Sequence, residues 1–107
     1  MLEQIQALLT APTSGASAPS LASLEETLTE GYAKAMALEA ERWRLERRLG
    51  EVARTLEGPD ASSVAEELAA LAKRLTSAEG ELNRLRVLLR SLHERVRSMR
   101  LAAQTAQ

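Results

Sequence analysis

Few side chains in this sequence have the type and spacing that catalysis or metal binding requires. The sequence contains no cysteine, which excludes disulfides, thiolate metal sites and a cysteine nucleophile. His93 is the only histidine, and no second ligand of a soft or borderline type accompanies it. A lone histidine of this kind is typical of a structural or exposed position, so we expect no metal site.

The paired carboxylates of the sequence do not form an acid/base dyad. Glu25-Glu26 and Glu66-Glu67 stand near the starts of predicted helices, where the helix dipole favours negative charge. Adjacent residues of a helix also point in different directions, so their carboxylates do not converge on one substrate. Without a glycine-rich phosphate loop or a Ser-His-Asp set, we expect no catalytic residue and no cofactor, and predict that the protein is not an enzyme.

The composition predicts one domain built from long helices. The chain has 107 residues, 2% aromatic residues and no Phe, whereas compact globular cores normally use several aromatics. A net charge of -1 argues against a generally basic nucleic-acid binder. Charges interrupt every apolar run before the ~20 residues of a membrane span. The first residues, MLEQIQALLT, lack a basic region, so we expect no signal peptide and a cytoplasmic location.

Apolar residues recur at spacings of three and four in two long stretches. Such spacing is that of the a and d positions of a coiled coil. The first stretch comprises Leu21, Leu24, Leu28, Gly31, Ala35, Leu38, Arg42, Leu45, Leu49, Val52 and Leu56. The second comprises Val64, Leu68, Leu71, Leu75, Ala78, Leu82, Leu85, Leu89, Leu92, Val96 and Met99. Each stretch therefore predicts one long helix with a single apolar seam.

The two seams match each other in antiparallel order about Asp60. Gly58-Pro59 stops the first helix, and long helices joined by a short loop normally pack antiparallel. Position i then faces position 120 − i, which sets small residues against large ones, as in Gly31 opposite Leu89. We predict an all-α fold, a long antiparallel two-helix coiled-coil hairpin with a short N-terminal helical segment on a flexible linker. The alternative is a continuous or parallel coiled-coil dimer that breaks at Gly58-Pro59.

The predicted boundaries follow from apolar periodicity, Gly and Pro, and capping residues. Ser23 with Glu26 fits a capping box, and either Asp60 or Ser63 caps the second helix. The predicted segments are an amphipathic helix at 1–10, a linker at 11–20, helices at 21–57 and 61–103 around a turn at 58–60, and a disordered tail at 104–107. Because two helices alone bury little apolar area, we expect the hairpin to oligomerise or to dock residues 1–10.

Residues beside the seams form two candidate interaction surfaces. The candidate partner or oligomer patch is apolar and comprises Tyr32, Met36, Trp43 and Leu88. It is either extra core, covered by the N-terminal segment or a second copy, or a docking patch for another protein. The candidate basic patch comprises Arg84, Arg90, Arg97 and Arg100. It is either a solvated face neutralised by Glu25, Glu26 and Glu30, or a nucleic-acid-binding stripe.

These observations lead to two functional hypotheses. The first is a non-catalytic coiled-coil protein that acts through protein–protein contact, as a self-associating scaffold or as a small subunit of a complex. The second is a nucleic-acid-associated hairpin that uses the arginine-rich end of the second helix. Arg42 is the one charged residue of the two apolar seams, and we expect its guanidinium to extend to solvent. The alternative is that Arg42 selects the register in which the helices pair.

Overall fold

The computed structural model describes residues 1–56 and 58–105, and this part of the chain folds as helices without strands. The elements are α1 (Leu2–Thr10), α2 (Leu21–Ala53) and α3 (Ala61–Thr105). The predicted fold class, a pair of long antiparallel helices preceded by a short N-terminal helix, is confirmed. Within these helices the chain divides into two compact units.

The first unit comprises residues 1–35 and 84–107, of which 106–107 lie outside the described residues. It contains α1, the first part of α2 and the last part of α3. Glu25 near the start of α2 pairs with Arg100 near the end of α3, with 3.0 Å between Oε1 and Nε, so these helices run antiparallel. The buried apolar residues of this unit are Ile5, Leu24, Leu28, Ala35, Leu85, Leu89, Leu92 and Val96.

The second unit, residues 36–83, contains the last part of α2 and the first part of α3. Arg48 of α2 and Glu67 of α3 form an ion pair with 3.0 Å between Nη2 and Oε1, which is again an antiparallel arrangement. Its core includes Leu45, Val52, Leu71 and Ala78, against which Leu49, Val64, Leu68 and Leu75 pack. All eight residues belong to the predicted seams.

The start of α2 differs from the predicted capping box. Ser20 precedes the helix, and its hydroxyl oxygen accepts a hydrogen bond of 3.1 Å from the backbone N–H of Ser23. Ser23 therefore lies in the first turn and is the residue that is capped, not the cap. A Ser at either position could satisfy a free N–H, and α2 begins at Leu21, the first residue of the predicted helix.

The end of α2 also differs from the prediction. The helix ends at Ala53, and the predicted last residue, Glu57, lies outside the described residues. The hydroxyl of Thr55 donates to the carbonyl oxygen of Val52 at 2.7 Å, and the Thr55 backbone N–H donates to the same oxygen at 3.0 Å. This tight turn closes the helix before Gly58-Pro59 is reached. Leu56, the last predicted seam residue, is consequently outside α2 and exposed.

Helix α3 begins where one of the two predicted caps stands. The carbonyl oxygen of Asp60 accepts a hydrogen bond of 3.0 Å from the N–H of Val64, which makes Asp60 the residue preceding the helix, whereas Ser63 is inside it. The helix continues through residues 104–105, which were predicted to be disordered. The other two residues of that predicted tail, 106–107, lie outside the described residues.

Arg42 adopts the arrangement in which the guanidinium leaves the seam. Its side chain is 38% exposed and its Nε lies 3.9 Å from Oε1 of Glu46, one helical turn later. Ala78, its predicted partner across the seam, is buried. The charge of Arg42 therefore stays near water, beside the carboxylate of Glu46.

Candidate helix-binding groove and exposed surfaces

Helix α1 is held in the first unit by a buried isoleucine. Ile5 is fully buried. A Cβ placed on Gly31 of α2 would lie 3.5 Å from Cδ1 of Ile5 and would collide with the side chain of Leu89 on α3. Because Gly31 has no side chain, Ile5 and Leu89 can meet directly over the backbone of α2. The size compensation predicted for Gly31 and Leu89 is thus present, with α1 as an additional participant.

The last turn of α1 is held by a charged side chain of α3. Nη2 of Arg95 donates a hydrogen bond of 2.8 Å to the carbonyl oxygen of Leu9, in a partly buried environment. The last carbonyls of a helix have no partner within the helix, and the helix dipole places negative charge there. The guanidinium therefore both satisfies a free acceptor and complements the dipole. No side-chain cap is present at the other end of α1, where the N-cap residue is Met1.

Residues of α1 and α3 also border a shallow, mostly apolar recess. Its lining residues are Leu2, Gln6, Arg84, Val87 and Leu88. We call the surface of α2 and α3 that receives α1, which includes Gly31, Leu89 and Arg95 and borders the recess at Val87 and Leu88, the α1 groove. Leu88, a member of the predicted patch, is half-buried and lines this recess together with Leu2 and Gln6 of α1.

A second groove of the first unit, about 590 Å³ in volume, contains other predicted site residues. Tyr32, which is 46% exposed, lies in it. The complete lining consists of Leu28, Tyr32, His93, Val96, Arg97, Arg100, Leu101 and Gln104. We call it the Tyr32 groove. It has apolar walls and cationic edges, although the charge of Arg100 is partly compensated by Glu25.

In the second unit, two large apolar side chains of α2 project into solvent. Met36 is 70% exposed and Trp43 is 61% exposed. The two residues are seven positions apart and therefore lie on one face of the helix. The guanidinium carbon of Arg47 lies 5.5 Å from the centre of the Trp43 ring, within the range of a cation–π interaction. We call Met36, Trp43 and Arg47 the Trp43 surface.

The predicted site residues are therefore distributed over several places. Within the first unit, Arg84 lies with Leu88 near α1, whereas Arg97 and Arg100 lie with Tyr32 in the other groove. Arg90 is exposed on α3. The described part of the chain holds no group of three His, Cys, Asp or Glu side chains that could bind a metal ion. In the same part of the chain, no polar or charged side chain is buried.

Sequence reasoning missed the residues that hold α1. Leu2, Ile5, Leu8 and Leu9 share one helical face, which indicated an amphipathic segment without indicating where it binds. The signal available in the sequence was Gly31. A glycine within a helix lowers the stability of that helix by about 1 kcal/mol relative to Ala, so its presence calls for a structural explanation. Nothing in the sequence distinguished Arg95 from its neighbouring arginines.

Comparisons with known proteins add no further constraint. No family model, no curated protein and no solved structure matches this chain. Within residues 1–56 and 58–105, no helix has both the length and the apolar character that crossing a membrane requires.

Proposed function

We propose that this protein is a non-catalytic coiled-coil protein that acts through protein–protein contact, as a self-associating scaffold or as a small subunit of a complex. The observation that carries the proposal is the exposure of Met36 and Trp43 on one face of α2. Methionine and aromatic residues are enriched in the cores of protein interfaces, and tryptophan and arginine are enriched among the residues that dominate binding energy.

The surroundings of these two residues support an interface of moderate size. Ala37 and Ala40 are exposed neighbours on α2, and small side chains allow the backbone of a partner helix to approach closely. Arg47 already covers one side of the Trp43 ring, which orients the indole and leaves its remaining surface for a partner. Complete burial of a large apolar side chain contributes roughly 1.5–3 kcal/mol, so burying the exposed parts of Met36 and Trp43 would contribute roughly 1–2 kcal/mol for each residue.

The chemistry of the described side chains supports a non-catalytic role. Catalytic groups are typically polar side chains in water-excluded sites, where burial and neighbouring charges tune them. The described residues include no buried polar side chain, and the two grooves of the first unit open to solvent. The proposal places the protein in the cytoplasm, in agreement with the expectation from its sequence.

Light scattering over a range of protein concentrations tests the proposal. We expect wild-type protein to have a mass above that of one chain at micromolar concentration, and the double variant Met36→Glu, Trp43→Glu to have the mass of one chain. Leu56→Glu is the matched control, because Leu56 is also an exposed apolar residue of the second unit. A wild-type monomer whose Trp43 emission is that of a fully hydrated indole, with and without cell extract, would contradict the proposal.

Nucleic-acid binding is the alternative function, and it can be tested with the same purified protein. Arg90 and Arg97 are exposed, whereas Arg95 and Arg100 are already engaged by the Leu9 carbonyl and by Glu25. A complex with DNA or RNA that weakens steeply with salt and is lost in Arg90→Glu, Arg97→Glu would favour this alternative over a protein partner.

A further inference from the structure

We infer that the α1 groove is an exchangeable helix-binding site, and that its second occupant is the α1 helix of another copy of this chain. The inference rests on the proposed function, since it names the segment and the site through which two copies contact each other. It concerns α1 and the first unit, whereas the proposed function is carried by the Trp43 surface.

The α1 helix contacts its groove in the way that a ligand contacts a binding site. Ile5 supplies one fully buried anchor, and Gly31 supplies the space that receives it. Arg95 recognises the end of the helix through the Leu9 carbonyl oxygen. None of these contacts depends on covalent continuity between α1 and α2, so the α1 of a second copy would reproduce each of them.

The segment that joins α1 to α2 permits the exchange. Residues 11–20 have no regular secondary structure; the backbone hydrogen bond from the N–H of Ala18 to the carbonyl of Gly15 lies within the segment itself. Gly15 has a φ of 92°, which glycine adopts without strain. Ten extended residues span at most roughly 33–36 Å, more than twice the ~14 Å length of the nine-residue α1.

The helix is also weak enough to leave its groove. A helix of 9 residues is too short to persist alone in water, so α1 is helical because it is docked. Once released, it would expose apolar surface of the groove at Leu89, which the amphipathic α1 of another copy would cover in the same way. Exchange of identical elements between copies therefore retains all intramolecular contacts and adds only the entropy cost of association.

The expected extent of exchange depends on how often two copies meet. Attachment through a short flexible linker gives α1 an effective concentration near its own groove of the order of millimolar. Free copies at micromolar concentration would thus keep α1 in its own groove. Association through the Trp43 surface raises the local concentration of the second copy and makes exchange competitive.

Cross-linking of full-length chains tests the exchange, because the natural sequence has no cysteine. One chain, labelled with ¹⁵N, carries Gln6→Cys, and the unlabelled chain carries Val87→Cys. Both residues are exposed and border the same recess of the first unit. A short bismaleimide can join position 6 to position 87 only between different chains, and the isotope label identifies that product by mass.

The matched control replaces Val87→Cys by Ala65→Cys, at an exposed position of α3 in the second unit. We expect the 6–87 product to exceed the 6–65 product by at least about tenfold, and to fall to the control level when Ile5→Asp is added to the labelled chain. Equal amounts of the two products, or a 6–87 product that is insensitive to Ile5→Asp, would overturn the exchange. Circular dichroism of each variant verifies that α2 and α3 are folded.

The same experiment separates this inference from the proposed function. If both chains also carry Met36→Glu, Trp43→Glu and the 6–87 product persists, the exchange stands and occurs without the Trp43 surface, which counts against the part of the proposed function that assigns association to that surface. If light scattering shows an assembly that depends on Trp43 but the 6–87 product stays at the control level, the exchange is wrong and the proposed function stands.

Discussion

Gly31 of α2 lies directly beneath Ile5 of α1, because the position that a Cβ of Gly31 would occupy is 3.5 Å from Cδ1 of Ile5. The same Cβ would overlap the Leu89 side chain. Three helices of the first unit therefore meet at a residue without a side chain. Residue 31 must be small because the space above it is already filled.

Gly31→Ala is expected to destabilise the protein in spite of the higher helix propensity of Ala. Overpacking of a filled core costs typically 1–3 kcal/mol, whereas the gain in propensity is about 1 kcal/mol at most. The overlap with the buried Leu89 side chain places the cost in the upper part of that range, about 2–3 kcal/mol, so we expect a net loss of about 1–2 kcal/mol in the free energy of unfolding. Urea denaturation followed by circular dichroism measures it, and an unchanged or higher midpoint would contradict the packing around Gly31.

Gly50→Ala is the matched control substitution, and we expect it to change the free energy of unfolding in the opposite direction. Gly50 is also within α2, but a Cβ there would meet no atom within 4 Å. We expect the free energy of unfolding to rise by about 0.5–1 kcal/mol, since Ala restricts the unfolded chain and favours the helix. A loss of stability in a dilute monomer would indicate that the backbone near Gly50 requires glycine for another reason.

Arg95→Met is expected to loosen α1 while leaving the pairing of α2 with α3 intact. The substitution keeps an apolar stem of similar length but removes the donor to the Leu9 carbonyl. Loss of one partly buried hydrogen bond costs roughly 1 kcal/mol. Amide hydrogen exchange should therefore be about fivefold faster in residues 5–9. Arg97→Met is the control, and equal acceleration in both variants would contradict the capping role of Arg95.

The ion pair between Arg100 and Glu25 is expected to contribute little to stability. The two side chains are 58% and 38% exposed, and exposed pairs are typically worth 0.2–1 kcal/mol. A double-mutant cycle with Arg100→Gln and Glu25→Gln should give about 0.5 kcal/mol or less, decreasing as salt rises. A coupling above about 2 kcal/mol would show that the pair is far less hydrated than its exposure indicates.

Truncation of a buried leucine should be much more costly than truncation of an exposed valine. Leu82 has 0% exposure, whereas Val87 has 59%. We expect Leu82→Ala to lower the free energy of unfolding by about 2–5 kcal/mol and Val87→Ala to change it by less than about 0.5 kcal/mol. Both values come from urea denaturation of full-length protein. Similar values for the two variants would mean that Leu82 is not part of the core.

Much of the fold could be predicted because it depends on local pattern. Leu24, Leu38 and Leu92 are buried as their spacing of three and four requires. The boundaries were less accurate. The hydroxyl of Ser20 caps the start of α2 and the hydroxyl of Thr55 bonds to the carbonyl of Val52 at its end, and several nearby residues of the sequence could have done the same.

The sites were predicted less well than the fold. Tyr32, Met36 and Trp43 were recognised as lying outside the seam, and each is exposed. Leu88 was grouped with them because it is also apolar and beside a seam; it lines a recess that α1 borders, and cover by the N-terminal segment was one of the two interpretations of the patch. Spacing along one helix gives the side on which a residue lies, but it does not give the element that covers that side.

The amino-acid sequence by itself determined that the chain forms long helices, that each has one apolar seam, and that Gly31 faces Leu89 across an antiparallel pair. These properties follow from residue spacing, which acts through the fixed geometry of the helix. Only the tertiary structure decided that α1 docks, that Ile5 fills the space over Gly31, and that Arg95 among the neighbouring arginines binds the Leu9 carbonyl. Those contacts join residues that are far apart in the sequence. They depend on the shapes of the packed surfaces and on the directions of the side chains, which residue spacing alone does not specify.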